Sequence, residues 1–263
     1  MSRTKTFLGL LILGIVLFLV LRHPRSPVDD AAIDAQRIIL FGYTEGERMS
    51  WEIDAQEGSL AESVGSLEGV TIRFYGEGEH PLTIRGARLV RDESTSLLEG
   101  AVTVARDDGL QLETHDLVWR EADDWLDSGP VHLSHHNAEL SASRFSYDLS
   151  ARRGWFTDGV EATIVQDGER FHVRANQGEE GDDRLVLEGD VSIHSENGNT
   201  FTCRRLETDL GGTFAQLSGD VHATLSSGDL QAQTVKLERG GVYAEGAVSL
   251  RLDLQSARKS DGT

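Results

Sequence analysis

Leu98-Glu99-Gly100-Ala101-Val102-Thr103-Val104, running on to Gly109-Leu110-Gln111-Leu112-Glu113-Thr114, holds the pattern that decides the fold. Apolar residues alternate on either side of a short polar turn. A period of two places them on one face of an extended chain, so the stretch reads as two short, half-buried strands. The same unit returns as Leu187-Glu188-Gly189-Asp190-Val191-Ser192-Ile193 and as Leu217-Ser218-Gly219-Asp220-Val221-His222-Ala223.

Two independent columns measure the repeat. Gly69, Gly100, Gly129, Gly159, Gly189, Gly219 and Gly246 follow one another at 27 to 31 residues. A second column of small residues closes the later strand of each unit: Ala55, Gly86, Thr114, Ala142, Ala175, Cys203 and Ala232. Self-similarity at a fixed period of this length marks a stacked architecture in which no unit buries its apolar face alone. The expectation is about seven repeats between Met49 and Leu254, all β, with an introductory strand at Arg37–Tyr43.

Glycine (28) far outnumbers proline (4), as suits a chain of many turns, and helical spacing is nearly absent beyond residue 35. Residues 1–27 hold four of the 25 basic residues and none of the 44 acidic ones, so the remainder carries a net charge of −23. Such a surface repels nucleic acid, and nucleic-acid binding is set aside. The single cysteine, Cys203, falls in the small-residue column and reads as a buried strand residue.

Residues 1–22 read as a basic cytoplasmic tail and a membrane anchor. The apolar run from Phe7 to Leu21 is 15 residues long, short for a span, but Lys5 and Arg22 can snorkel and lengthen it. Arg-His-Pro-Arg-Ser-Pro follows it, with no small-x-small cleavage site, which favours an uncleaved anchor over a signal peptide. Residues 23–36 read as a linker, 37–254 as the β domain and 255–263 as a polar tail.

Several residues in this order fit a known family. Glu45-Gly46-x4-Trp51-x-Ile53-x-Ala55, the later Leu98-x-Gly100-x-Val102, and Leu112-x-Thr114-x2-Leu117-x-Trp119 resemble LptC, a family of periplasmic lipopolysaccharide-export proteins. The similarity covers roughly residues 5–180, the anchor included, with 37–180 as its part of the β domain. Residues 184–254 look more like repeats of the related bridge protein LptA. The resemblance implies a β-jellyroll of two facing antiparallel sheets, each repeat giving a strand to both, with lipid acyl chains held between them. It implies lipopolysaccharide as cargo, an inner-membrane ABC transporter as donor and an LptA-like periplasmic bridge protein as acceptor, joined edge to edge. It also implies an inner-membrane location with the β domain in the periplasm, and no cofactor.

On parity, the inward residues are Ile53, Phe74, Ile84, Val102, Val104, Leu110, Leu112, Val131, Leu133, Leu140, Val173, Val191, Ile193, Phe201, Val221, Leu225, Leu230 and Leu250. They either line a lipid groove, with the small column leaving room along it, or fill a closed core, with the small column letting the sheets approach. The last strand, Val248, Leu250, Leu252 and Leu254 with polar residues between, has no proline or inward charge to guard its edge, and reads as a docking edge for a partner strand.

Little in the sequence points to catalysis. His132 and His136 share one face of a strand while His135 faces the other way, which is poor geometry for a metal. Asp123-Asp124 and Asp182-Asp183 sit in turns, where aspartate is favoured for local reasons. No phosphate loop or nucleophile elbow is present, so no enzyme is expected. A period near thirty also suits a parallel β-solenoid serving as scaffold or adhesin, or one carrying a polysaccharide-processing site. Few asparagines are available for the turn ladders of such a solenoid.

Overall fold

The computed structural model describes residues 33–43, 49–61, 64–75, 81–91, 95–166, 168–181, 184–209, 214–238 and 241–252. The expected anchor, Leu254 and the polar tail lie outside the described residues. The N-terminal third contains β1 (Ile33–Tyr43), β2 (Met49–Ala61), β3 (Val64–Phe74), β4 (Leu82–Arg91), β5 (Thr95–Arg106) and β6 (Gln111–Arg120). Next come β7 (Trp125–Ser128), β8 (Val131–His135), β9 (Ala138–Asp148), β10 (Arg153–Gln166), β11 (Glu169–Ala175) and β12 (Gln177–Gly181). The C-terminal part contains β13 (Arg184–Ser195), β14 (Thr200–Asp209), β15 (Phe214–Leu225), β16 (Gly228–Glu238), β17 (Gly241–Glu245) and β18 (Ser249–Leu252). The introductory strand begins at Ile33, so it takes four residues expected to belong to the linker. The final strand is shorter than the alternation suggested, and Val248 lies before it.

Every pairing is antiparallel, and each strand lies beside its neighbours in sequence. This rules out a parallel solenoid coil, whose successive coils would pair in parallel. Two strands are interrupted. β7 and β8 together fill the place between β6 and β9, and β11 and β12 that between β10 and β13. β17 and β18 both lie on β16.

The glycine column is where the ladder folds into two sheets. The register slips between Glu99 and Val102, Thr157 and Val160, Glu188 and Val191, and Ser218 and Val221, leaving two residues unpaired each time. Those residues are Gly100-Ala101, Asp158-Gly159, Gly189-Asp190 and Gly219-Asp220, and all eight have positive φ. A left-handed pair turns a strand sharply, and glycine adopts that backbone without a Cβ penalty. Gly129 is the exception. There the chain breaks into β7 and β8 and passes through Pro130, which has no amide hydrogen to donate.

Segments after the bulge form sheet I (for example Val102–Arg106) and segments before it form sheet II (Thr95–Glu99). The two meet at the bulges, here called the corner, and each runs out to a rim where its hairpins turn. Small residues recur at the corner. Thr114, Ala142, Ala175, Cys203 and Ala232 are paired or aligned with Val102, Val131, Val160, Val191 and Val221. A Cβ on Gly86 would lie 3.1 Å from Leu98 Cδ2. At Gly86, at least, the small residue lets Leu98 of the adjoining sheet approach.

A continuous apolar row crosses the inner face of sheet I. It runs from Ile72 through Ile84, Val104, Leu112, Leu133, Leu140, Ala162, Val173, Ile193, Phe201 and Ala223 to Leu230. Alternate residues such as Thr103, Glu113, His132 and Ser141 are exposed, as parity requires.

Candidate functional site between the sheets

The residues expected to point inward do so, with graded burial. Ile53, Ile84, Val102, Val104, Leu110, Leu112, Val131, Leu133, Leu140, Val173, Val191, Ile193, Val221 and Leu230 are buried. Phe74, Phe201 and Leu225 are half-buried against the core. Leu250 is the correction. At 58% exposure it lies on the end strand, where no further strand covers it among the described residues.

All of these belong to sheet I. The opposite wall consists of sheet II residues that sequence reasoning passed over, including Leu98, Leu117, Trp119, Leu126, Phe156, Leu185, Leu187, Leu206, Leu217 and Val235, all buried. The signal was present. The leucine two residues before three of the bulge glycines (Leu98, Leu187, Leu217) alternates in the same way as the residues after it.

The interior differs along its length. In the N-terminal part, aromatic rings bridge the gap between sheets. Trp119 of sheet II packs edge-on against Trp51 at 5.8 Å and Phe74 at 5.1 Å, both of sheet I. T-shaped packing of this kind fills space with little void.

The middle holds a group of polar residues at the rims. Arg106 ends β5 on sheet I, and its Nη2 lies 3.1 Å from Oε1 of Glu180, on β12 of sheet II. Arg106 Nε donates to Asp108 Oδ2 at 2.6 Å. The Arg106 and Glu180 side chains are only 9% and 5% exposed. Burial opposes the Arg106 charge, but the Glu180 and Asp108 carboxylates outweigh it and hold its pKa above the ordinary value. Burial likewise opposes the Asp108 charge, and the Leu110 amide and Arg106 prevail and lower its pKa. Tyr147 stands beside the pair, its phenol pKa raised by burial and by Glu180. His135 is buried at the same rim with Nδ1 unpartnered, and its pKa is lowered by burial and then by His136. Next to this group Phe145 packs on Phe156 at 5.2 Å.

Beyond it, toward the C-terminus, the sheets enclose a cavity of about 40 Å³. Ile164, Gln166, Phe171, Val173, Ile193 and Phe201 line it from sheet I, and Leu206, Thr208, Ala215, Leu217 and Leu237 from sheet II. The lining is almost wholly apolar, and Ile164, Phe171, Phe201 and Leu237 remain half-buried, so the apolar interior reaches solvent here. Ser195, in register with Phe171, is buried with its hydroxyl unpartnered. Cys203 lies at the corner, its thiol pushed up to about 11 by burial, which leaves it a poor nucleophile.

Both ends of the ladder are open among the described residues. β1 pairs only with β2 and exposes Ile39, Phe41 and Tyr43, while β17 and β18 pair only with β16 and expose Val242, Tyr243, Leu250 and Leu252. His132, His172 and His194 lie on the outer face of sheet I. No cluster of three or more histidine, cysteine or acidic side chains arranged for a metal occurs among the described residues.

The fold is thus an all-β antiparallel sandwich, folded along one corner, with an apolar interior and two unpaired ends. No family model matches the chain, and no curated protein matches it. Among solved structures it is similar to LptH of Pseudomonas aeruginosa, the LptA-homologous periplasmic component of the lipopolysaccharide transport device, at 10% identity and a TM-score of 0.36. That likeness covers 56% of this chain and 96% of the other.

Proposed function

We propose that this chain is a membrane-anchored, LptC-like carrier in lipopolysaccharide export. It receives lipopolysaccharide from an inner-membrane ABC transporter, holds acyl chains between its sheets and passes them to an LptA-like periplasmic jellyroll paired to its edge. The observation carrying this reading is the apolar interior that meets solvent at Phe171, Phe201 and Leu237, next to an unpaired strand end. Apolar surface is favourable to bury at roughly 0.8 kcal/mol per methylene, so acyl chains are the natural occupants of such a space. A cavity of about 40 Å³ has room for only a few waters, each needing roughly 10–15 Å³, and is far too small for an acyl chain. Loading therefore requires the sheets to part at the rims, where the hairpins leave them free to do so.

The test is parity. A photo-crosslinking residue at Phe201, which faces the cavity, should capture purified lipopolysaccharide, and one at Thr202, which faces outward, should not. Equal capture at the two positions would remove the reading.

A further inference from the structure

The apolar interior is not one compartment. Resting on the carrier reading above, we propose that acyl chains occupy only the C-terminal compartment, and that the Arg106–Glu180 pair with its aromatic neighbours is a bulkhead closing the N-terminal one.

Three observations place the bulkhead. Arg106 and Glu180 come from opposite sheets and meet at the rims, so their contact ties shut the side on which the sandwich would otherwise open. In the cross-strand row of sheet II, Glu180 is followed by Leu185, Thr208, Ala215 and Leu237, the last three of which line the cavity. The polar group therefore stands one strand short of the cavity. On its other side Tyr147, Leu126 and Trp119 continue the same row, and Trp119 spans the gap to Trp51 and Phe74.

Physical chemistry gives this arrangement a direction. An acyl chain sliding past Arg106 and Glu180 would replace water and partners around two buried charges with hydrocarbon, which is costly. The same chain moving among Phe171, Ile193 and Leu217 meets an almost wholly apolar lining, with no buried ion pair. Among the described residues, parting the rims toward the C-terminus breaks no comparable ion pair between the sheets, whereas parting them toward the N-terminus must break Arg106–Glu180 first. Cargo then enters and leaves through the C-terminal mouth, and the first strands serve as a closed support.

The experiment places photo-crosslinking residues along the axis of the full-length chain, at Phe201 and Leu237 in one compartment and at Val104 and Leu117 in the other, and exposes each to purified lipopolysaccharide. Capture at 201 and 237 with none at 104 and 117 is expected. Capture in both compartments would overturn the bulkhead while leaving the carrier reading intact. No capture anywhere would overturn both. A second arm carries the double substitution Arg106→Met with Glu180→Met, which removes both charges while keeping volume. Capture at 104 should then appear in a protein whose melting is cooperative. Its continued absence, with 201 still labelled, would show that the ion pair is not the barrier.

Discussion

Arg106 and Glu180 are 74 residues apart in the chain and 3.1 Å apart in space, and they join the rim of one sheet to the rim of the other. Removing one partner leaves the other buried without its main counter-charge. Arg106→Ala should therefore destabilise the domain by roughly 3–5 kcal/mol. Replacing both by methionine should cost less, because neither charge of the pair is then left buried alone and Asp108 keeps its bond from the Leu110 amide. Chemical denaturation of the two variants checks this. Equal losses would mean that the pair acts through packing alone.

Acid should loosen the same region. His135 has a folded-state pKa below its ordinary 6.5 and faces Arg106, Asp108 and His136. A depressed pKa means that folding favours the neutral ring. Its contribution is complete above the unfolded value and is lost as pH falls through the folded one. Asp108, also depressed, adds a second loss below its ordinary 3.8. Thermal melting followed from about pH 7.5 to about pH 5 should fall for the native chain, and His135→Gln should flatten that slope.

The bulges offer a comparison of backbone against space. Gly159 has φ +94 with nothing within 4 Å of where a Cβ would stand, whereas at Gly219, φ +80, a Cβ would lie 2.9 Å from Arg204 Cβ. Gly159→Ala should cost the left-handed penalty alone, roughly 1–2 kcal/mol. Gly219→Ala should cost more, since Arg204 must also shift. Matched denaturation curves separate the two contributions.

The C-terminal end is accessible to a partner at little cost to the fold. Leu250 and Leu252 are 58% and 55% exposed, so Leu250→Lys with Leu252→Lys should leave the melting temperature nearly unchanged. Charge on an edge strand discourages strand addition. The variant should lose binding to an LptA-like bridge protein in a pull-down. Undiminished binding would direct attention to the β1 end, with Ile39, Phe41 and Tyr43.

Much of this architecture can be read from the chain because it is local. The glycine column marks the bulges, since a left-handed pair selects glycine and aspartate at fixed intervals, and parity assigns Leu112 inward and Glu113 outward without any knowledge of partners. Sheet II was less visible because reasoning from the residues after each glycine follows only one wall. The small column was legible as a pattern but ambiguous in meaning, and only the approach of Leu98 to Gly86 decides it at that position. Arg106 and Glu180 could not have been paired from sequence. Their meeting depends on twist accumulated over five positions of the ladder, which leaves no mark on nearby residues.

Because the ladder grows by adding each hairpin beside the last and, among the described residues, does not close on itself, the number of repeats is not fixed by the fold. One more unit contributes two strands and lengthens the molecule by about 10 Å, two strand spacings, without disturbing those already in place. A gene that duplicates thirty codons in frame at a hairpin would thus lengthen the protein's reach across a compartment while both terminal edges, and whatever recognises them, stay as they were.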